Sequence, residues 1–269
     1  MSSYFGPESL IRHVHRERAV ALYGPRALLM QAAHPLAVAG LLAHSSALED
    51  PYDRLARTAE VMNTIVFGSR AEADHLTAHV RSMHTRVRGR IPDAVGRYPA
   101  GTEYRADDPE LLLWVLFTLV DSAVVVYRRY VGSLSRSDEA RLWEDYKVVG
   151  RLFGLSSADL PETLGELDGY RRRMLDGDEL VVTDWARRRA RSIVFEPPVP
   201  WAVRPLVETV NFVTIALLPD RIRRQYGFGV IPPVPVRKAL VNGGAEYLKR
   251  AVIPFLPDRV RLVPAARPA

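Results

Sequence analysis

Two arginines, a threonine and a histidine are the residues of this chain whose types and spacing suit chemistry. Arg54, Arg57 and Thr58 stand at i, i+3 and i+4, so a helix presents all three on one face. Burying such charges without partners costs several kcal/mol, so an anionic or reacting group is expected against them. Downstream, Ala73, Leu76, Val80, Met83 and Val87 recur at three- and four-residue intervals, and His84 sits one turn after Val80 at the edge of that stripe. Arg81 and Arg88 share its flank. An apolar cavity with one imidazole and several guanidinium groups suits a planar, iron-bearing, doubly anionic ligand. Haem is the candidate, with His84 on the iron and arginines such as Arg88 on the propionates. The blander alternative is a hydrogen-bonded core histidine, with arginines paired to Asp50, Asp53 and Glu60 on a solvated face. The residue pattern alone leaves both open.

The elements that must position these groups are helices. Asp50 can cap the arginine helix, with Pro51 at its first position and Gly68 at its exit. Ser69 and Glu72 form a capping box for the histidine helix, with Gly89 as its stop. A first helix is expected over Pro7–Leu22, ended by Gly24–Pro25, and a second from Pro25 to Ala33, broken at His34–Pro35. Leu36–His44 carries a third piece. Tyr98–Asp107 reads as a polar connector. The apolar run Leu111–Tyr127, capped by Asp108 and started by Pro109, reads as a central buried helix. Amphipathic helices are expected from Ser137 to Gly150 or Gly154, from Pro161 to Asp176, after Thr183 or Asp184, over Pro200–Leu218 and over about Val234–Val252. No strand alternation exceeds a few residues.

The fold class is therefore all-α. One domain is expected over 1–269, with a core over about 7–176 and a helical C-terminal extension over about 177–260. At 269 residues, 48% hydrophobic and 25% charged, the chain can bury a full core. With no cysteine, thiolate ligation, disulfides and iron–sulfur clusters are excluded, and histidine is left as the natural axial ligand. The formal charge of +6 comes largely from arginines on helices, such as Arg171–Arg173 and Arg187–Arg191. No zinc-finger spacing or aromatic-interleaved basic strand accompanies them, so nucleic acid is not expected as a partner. Solvated or salt-bridged helix faces account for these runs, with peripheral membrane contact as the alternative. The N-terminus lacks an uncharged signal-peptide core, and the longest apolar run is interrupted by Asp121, so a cytoplasmic protein is expected. His75 and His79 stand at i, i+4 without a third metal ligand, and no phosphate loop or hydrolase elbow is present.

A longer motif series carries more. GPRALLMQAAHPLAVAGLLAHS (Gly24 to Ser45), DPYDRLARTAEVMNTIVFG, MHTRVRG and YPAGTEYRADDPELLLWVLFTLVDS (Tyr98 to Ser122) together resemble the MpaB-like and rubber oxygenase (latex-clearing protein) family. The similarity runs to about Pro161 and weakly beyond. The resemblance implies an all-α fold with a globin-like core and a b-type haem. It implies that His84 is the proximal iron ligand, and that Arg54 and Thr58 belong to an R-x-x-x-T motif on the distal side. Arg57 falls where the latex-clearing protein has a lysine. A guanidinium keeps its proton and is a very poor metal ligand, so Arg57 is expected to donate a hydrogen bond to dioxygen instead. No counterpart of that protein's acidic base is evident; Glu49 and Glu60 are nearby but fall outside the motif.

The resulting expectation is a haem b-dependent oxygenase. Its partners would be dioxygen, a small lipophilic or isoprenoid-like substrate and an unidentified electron donor. Oxidative cleavage of a carbon–carbon double bond is the sharpest version. The alternatives are a non-enzymatic haem- or gas-binding globin-like protein and a haem-free carrier of a lipophilic anion.

Overall fold

A computed structural model of the chain describes residues 2–44, 51–195, 199–202, 204–229, 235 and 243–266; the side chains of 43, 44, 51–54, 194, 195 and 206 lie outside that description. The elements in order are α1 (Leu10–His15), a 3-10 turn (Arg18–Leu22), α2 (Tyr23–Gln31), α3 (Pro35–His44), α4 (Pro51–Phe67) and α5 (Arg70–His84). A two-stranded hairpin follows, β1 (Arg88–Arg90) and β2 (Glu103–Arg105). Then come α6 (Pro109–Tyr130), α7 (Arg136–Leu152), α8 (Leu164–Asp176), α9 (Asp184–Phe195), α10 (Arg204–Leu217) and α11 (Asp220–Gln225). Short helical turns over 245–266 close the described chain. The class is all-α.

The helix ends follow from local side-chain chemistry. Ser69 and Glu72 cap α5 reciprocally, with the Ser69 N–H donating to Glu72 Oε2 at 2.8 Å. Asp108 accepts from the Glu110 and Leu111 N–H groups, and Pro109 opens α6 where its missing N–H costs nothing. The expected start of α7 at Ser137 moves to Ser135, which forms a capping box with Asp138. Gly154, at φ +105°, ends that helix by taking the left-handed turn while the Leu155 N–H donates back to Gly150 O at 3.0 Å. Thr163 caps α8, and the Thr183 hydroxyl accepts from Ala186 N–H at the head of α9. Asp50, most of the EPPVP and IPPVP breaks and the first half of the helix expected over 234–252 lie outside the described residues.

Two expected boundaries near the N-terminus also differ. The single helix over Pro7–Leu22 breaks at Glu17, which is extended at ψ 119°. Glu17 is 2% exposed and receives both Nε and Nη2 of Arg261 at 2.8 and 2.7 Å, so a tertiary ion pair overrides local helical preference there. Gly24 and Pro25 do not terminate a helix; they lie in the first turn of α2, where proline is tolerated.

The core is built around α6. Trp114, Phe117, Val120, Ala123 and Val126 are buried along it. α2 and α7 pack on its sides, α1 lies on α7, and α10 lies on α2. By length and composition α6 could cross a membrane, but its apolar window is 72% buried inside the fold, as expected of a core helix. Asp121, the charge within that run, receives Arg26 at 2.8 Å and Arg171 at 3.3 Å. Arg26 is only 2% exposed and also donates to Ser122 and to Leu217 O of α10. A buried cation needs all of these acceptors, and meeting them ties α2, α6, α8 and α10 together.

Candidate functional site

A cavity of about 730 Å³ opens among α2, α3, α4, α5, the hairpin and α6. Its volume falls within the roughly 300–1,000 Å³ usual for small-molecule sites. α6 contributes Leu111, Leu112, Val115, Leu116 and Leu119, spaced so that one helical face lines one wall. α3 contributes Leu36, Ala37, Gly40 and Leu41. Gly40 matters for the approach, because a Cβ there would stand 3.3 Å from Val87 and 3.6 Å from the Tyr104 ring.

The stripe on α5 faces this cavity more than the core. Ala73 is buried, but Leu76, Val80, Met83 and Val87 line the cavity wall, and Met83 is 44% exposed. His84 lines it too, half-buried, with Nδ1 shielded from solvent. The helix ends at His84, five residues before the expected stop at Gly89. Gly89 has a different task. It pairs with Tyr104 across the hairpin, and a Cβ on it would lie 2.5 Å from the Tyr104 hydroxyl oxygen. Residues 85–90 can therefore turn into β1, carrying Val87 and Tyr104 onto the cavity.

Arg57 and Thr58 reach the same cavity from α4, beside Glu60, Val61 and Met62. They are exposed rather than buried, because α4 commits Met62, Ile65 and Val66 to the core and leaves the Arg57–Thr58 turn at the open side. The premise of a buried, charged helix face is corrected for these two residues: water at the opening lowers the desolvation cost. The backbone of Arg54 lies in α4 one turn before Arg57; its side chain is outside the described set. Arg88 is not among the residues lining the cavity. It is exposed on β1, and its guanidinium donates to Thr85 O at the end of α5. Arg81 is likewise engaged elsewhere, donating to Leu152 O at the end of α7. Both serve helix C-termini, where a cation meets unpaired carbonyls and the negative end of the dipole.

The structure adds residues that the spacing argument passed over. Gln31 and Tyr104 line the cavity; so does His79, which the sequence offered only as half of an i, i+4 histidine pair lacking a third ligand. Gln31 carried a faint signal, a lone amide in the apolar run ALLMQAA. Tyr104 carried none, since only the hairpin brings it in. His34 lies just before α3, 5% exposed, with Nε2 3.3 Å from the Tyr98 hydroxyl. Desolvation pushes its pKa down to about 4, so it is neutral at ordinary pH. Among the described residues no group of three or more His, Asp or Glu side chains gathers into a metal cage.

A family model described as ER-bound oxygenase mpaB/B'/rubber oxygenase, catalytic domain, matches residues 11–253. The chain belongs to this family. No curated protein and no solved structure gives a significant match. The matched span holds every residue of the cavity wall. Family membership makes the chain an oxygenase, an oxidoreductase whose reactants are dioxygen and a substrate, and it weighs against the two non-enzymatic alternatives.

Proposed function

We propose that the cavity would hold haem b, with His84 as the residue that binds its iron, and that the protein oxidises an apolar, isoprenoid-like small molecule with dioxygen. The observation that carries this reading is the convergence on one largely apolar cavity of an imidazole from α5 and a guanidinium and hydroxyl from α4. The donor set fits the group. A macrocycle supplies its own four ligands, so one histidine suffices, and apolar walls suit its faces. Of the two lining histidines, His84 is half-buried and His79 exposed, which favours His84. When bound, haem supplies the redox iron that activates dioxygen.

The remaining roles belong to the chain's own side chains. The leucine and valine walls exclude water and admit an apolar substrate. Arg57, with Arg54 one turn away, donates to negative charge developing on oxygen. Because a guanidinium keeps its proton, Arg57 serves as a donor and not as a metal ligand. Thr58 donates a hydrogen bond or anchors a water. Arg88 lies outside the cavity lining, with its guanidinium donating to Thr85 O at the end of α5. Cleavage of a carbon–carbon double bond is the sharpest form of the reaction.

The test is haem titration followed by visible spectroscopy and a pyridine haemochrome assay. The wild type is expected to take up haem b stoichiometrically, and His84→Ala to lose it. A His84→Ala protein with wild-type haem content would remove the ligand assignment; a wild type that takes up no haem would remove the mechanism.

A further inference from the structure

The cavity wall formed by α2, α3 and α6 is apolar apart from Gln31. Its neighbours there include Leu28, Ala32, Leu36 and Val115. The orientation of the Gln31 amide is fixed by a short hydrogen-bond chain. Its Nε2 donates to Thr118 Oγ1 at 3.0 Å, and Thr118 Oγ1 donates to Val115 O at 2.7 Å within α6. Thr118 is fully buried. Its single hydroxyl proton is therefore committed to its own helix, and toward Gln31 it can only accept. With the NH2 facing Thr118 both contacts are hydrogen bonds, whereas the reverse orientation leaves one of the two without a proton, which assigns the two ends of the amide.

Oε1 is the consequence. It has no hydrogen-bond partner among the described residues, and it is not among the unpartnered atoms shielded from solvent. Gln31 lines the cavity, and with Nε2 held by Thr118 its Oε1 is the amide atom left free to pair with a ligand there. A carbonyl oxygen covered by an apolar ligand loses its water without compensation, whereas a ligand bearing a donor restores the bond. An ammonium donor is disfavoured, because the surrounding leucines and valines do not repay the desolvation of a charge. A hydroxyl is the neutral donor that fits.

We infer that Gln31 is a specificity-determining residue, its Oε1 accepting a hydrogen bond from a hydroxyl group on an otherwise apolar substrate. The cavity then selects alcohols or phenols over the matching ethers and hydrocarbons. This rests on the proposed function, with the substrate sharing this cavity with haem and meeting the Gln31 wall, and it narrows the substrate class.

Calorimetric titration of the purified protein with geraniol and with geranyl methyl ether tests it. The two probes are both apolar, and only the alcohol can donate. The wild type is expected to bind the alcohol about two- to thirteenfold more tightly, the span of one net hydrogen bond. Gln31→Met, close in size but without an acceptor oxygen, should bring that ratio to about one. Thr118→Val should lower it as well without touching the ligand, because the amide is then free to turn its NH2 toward the cavity. A purely structural role for Gln31 would weaken both ligands together and leave the ratio unchanged. Equal binding of the two probes by the wild type, or an unchanged ratio in folded Gln31→Met, overturns the inference and leaves the cavity reading standing. A wild type that binds neither probe overturns both.

Discussion

Acidification should destabilise this protein through buried histidines, and His15 gives the cleanest case. It lies on α1, 7% exposed, with Nε2 2.7 Å from the Tyr146 hydroxyl and its ring edge-on to Tyr23 at 5.1 Å. Burial pushes its pKa from 6.5 down to about 4. Burial also holds the Tyr146 hydroxyl well above its ordinary range, so the phenol keeps its proton beside a neutral imidazole. Above the unfolded pKa both states are neutral and the group contributes no pH dependence. As pH falls through that value, the unfolded chain takes up the proton and the folded chain does not, so stability drops. The loss continues until the folded group protonates too, near pH 4, and then levels off. The full shift corresponds to about 3 kcal/mol, of which about 2 kcal/mol is lost by about pH 5. Urea unfolding of the wild type and of His15→Gln at about pH 7 and about pH 5 isolates this group, since every other titration is common to both. The wild type should lose about 2 kcal/mol more than the variant between the two conditions. Parallel losses would refute the reasoning and mean that His15 is protonated in the folded protein.

Two further outcomes follow from packing and charge. Asp121→Asn removes the charge that holds Arg26 and Arg171, and leaving a buried guanidinium uncompensated should cost about 3–5 kcal/mol in denaturant unfolding. A change below about 1 kcal/mol would mean that Ser122 and Leu217 O satisfy Arg26 without it. Gly150→Ala places a Cβ 2.8 Å from Leu116 Cδ2 and 3.1 Å from Leu160 Cδ2. Overpacking of roughly 1–3 kcal/mol opposes a helix-propensity gain of about 1 kcal/mol, so a net loss of about 1 kcal/mol is expected in Tm or urea midpoint. A stabilised variant would show that the α6–α7 contact yields easily.

How much was legible in the sequence differs from residue to residue, for physical reasons. Asp108–Pro109 and Ser69–Glu72 marked helix starts correctly because capping is a contact between near neighbours in the chain. The place of His84 on the edge of an apolar stripe followed from helical spacing, as did the shared face of Arg57 and Thr58. The family resemblance was likewise carried by the motif order, and the family match bears it out. Tertiary partners decided the rest. Glu17 broke the first helix because Arg261, 244 residues away, needed its carboxylate. Gly89 proved to be room for Tyr104 and no helix stop. Arg81 and Arg88 went to carbonyls at helix ends, which a helical wheel cannot see. The sequence by itself determined which elements form and which faces are apolar, because those depend on interactions within a few residues. Only the tertiary structure decided that the stripe on α5 faces a cavity, that Arg57 lines its open side, and that the amide of Gln31 is locked by Thr118. Each of those depends on groups far apart in the chain meeting at hydrogen-bond or van der Waals distance.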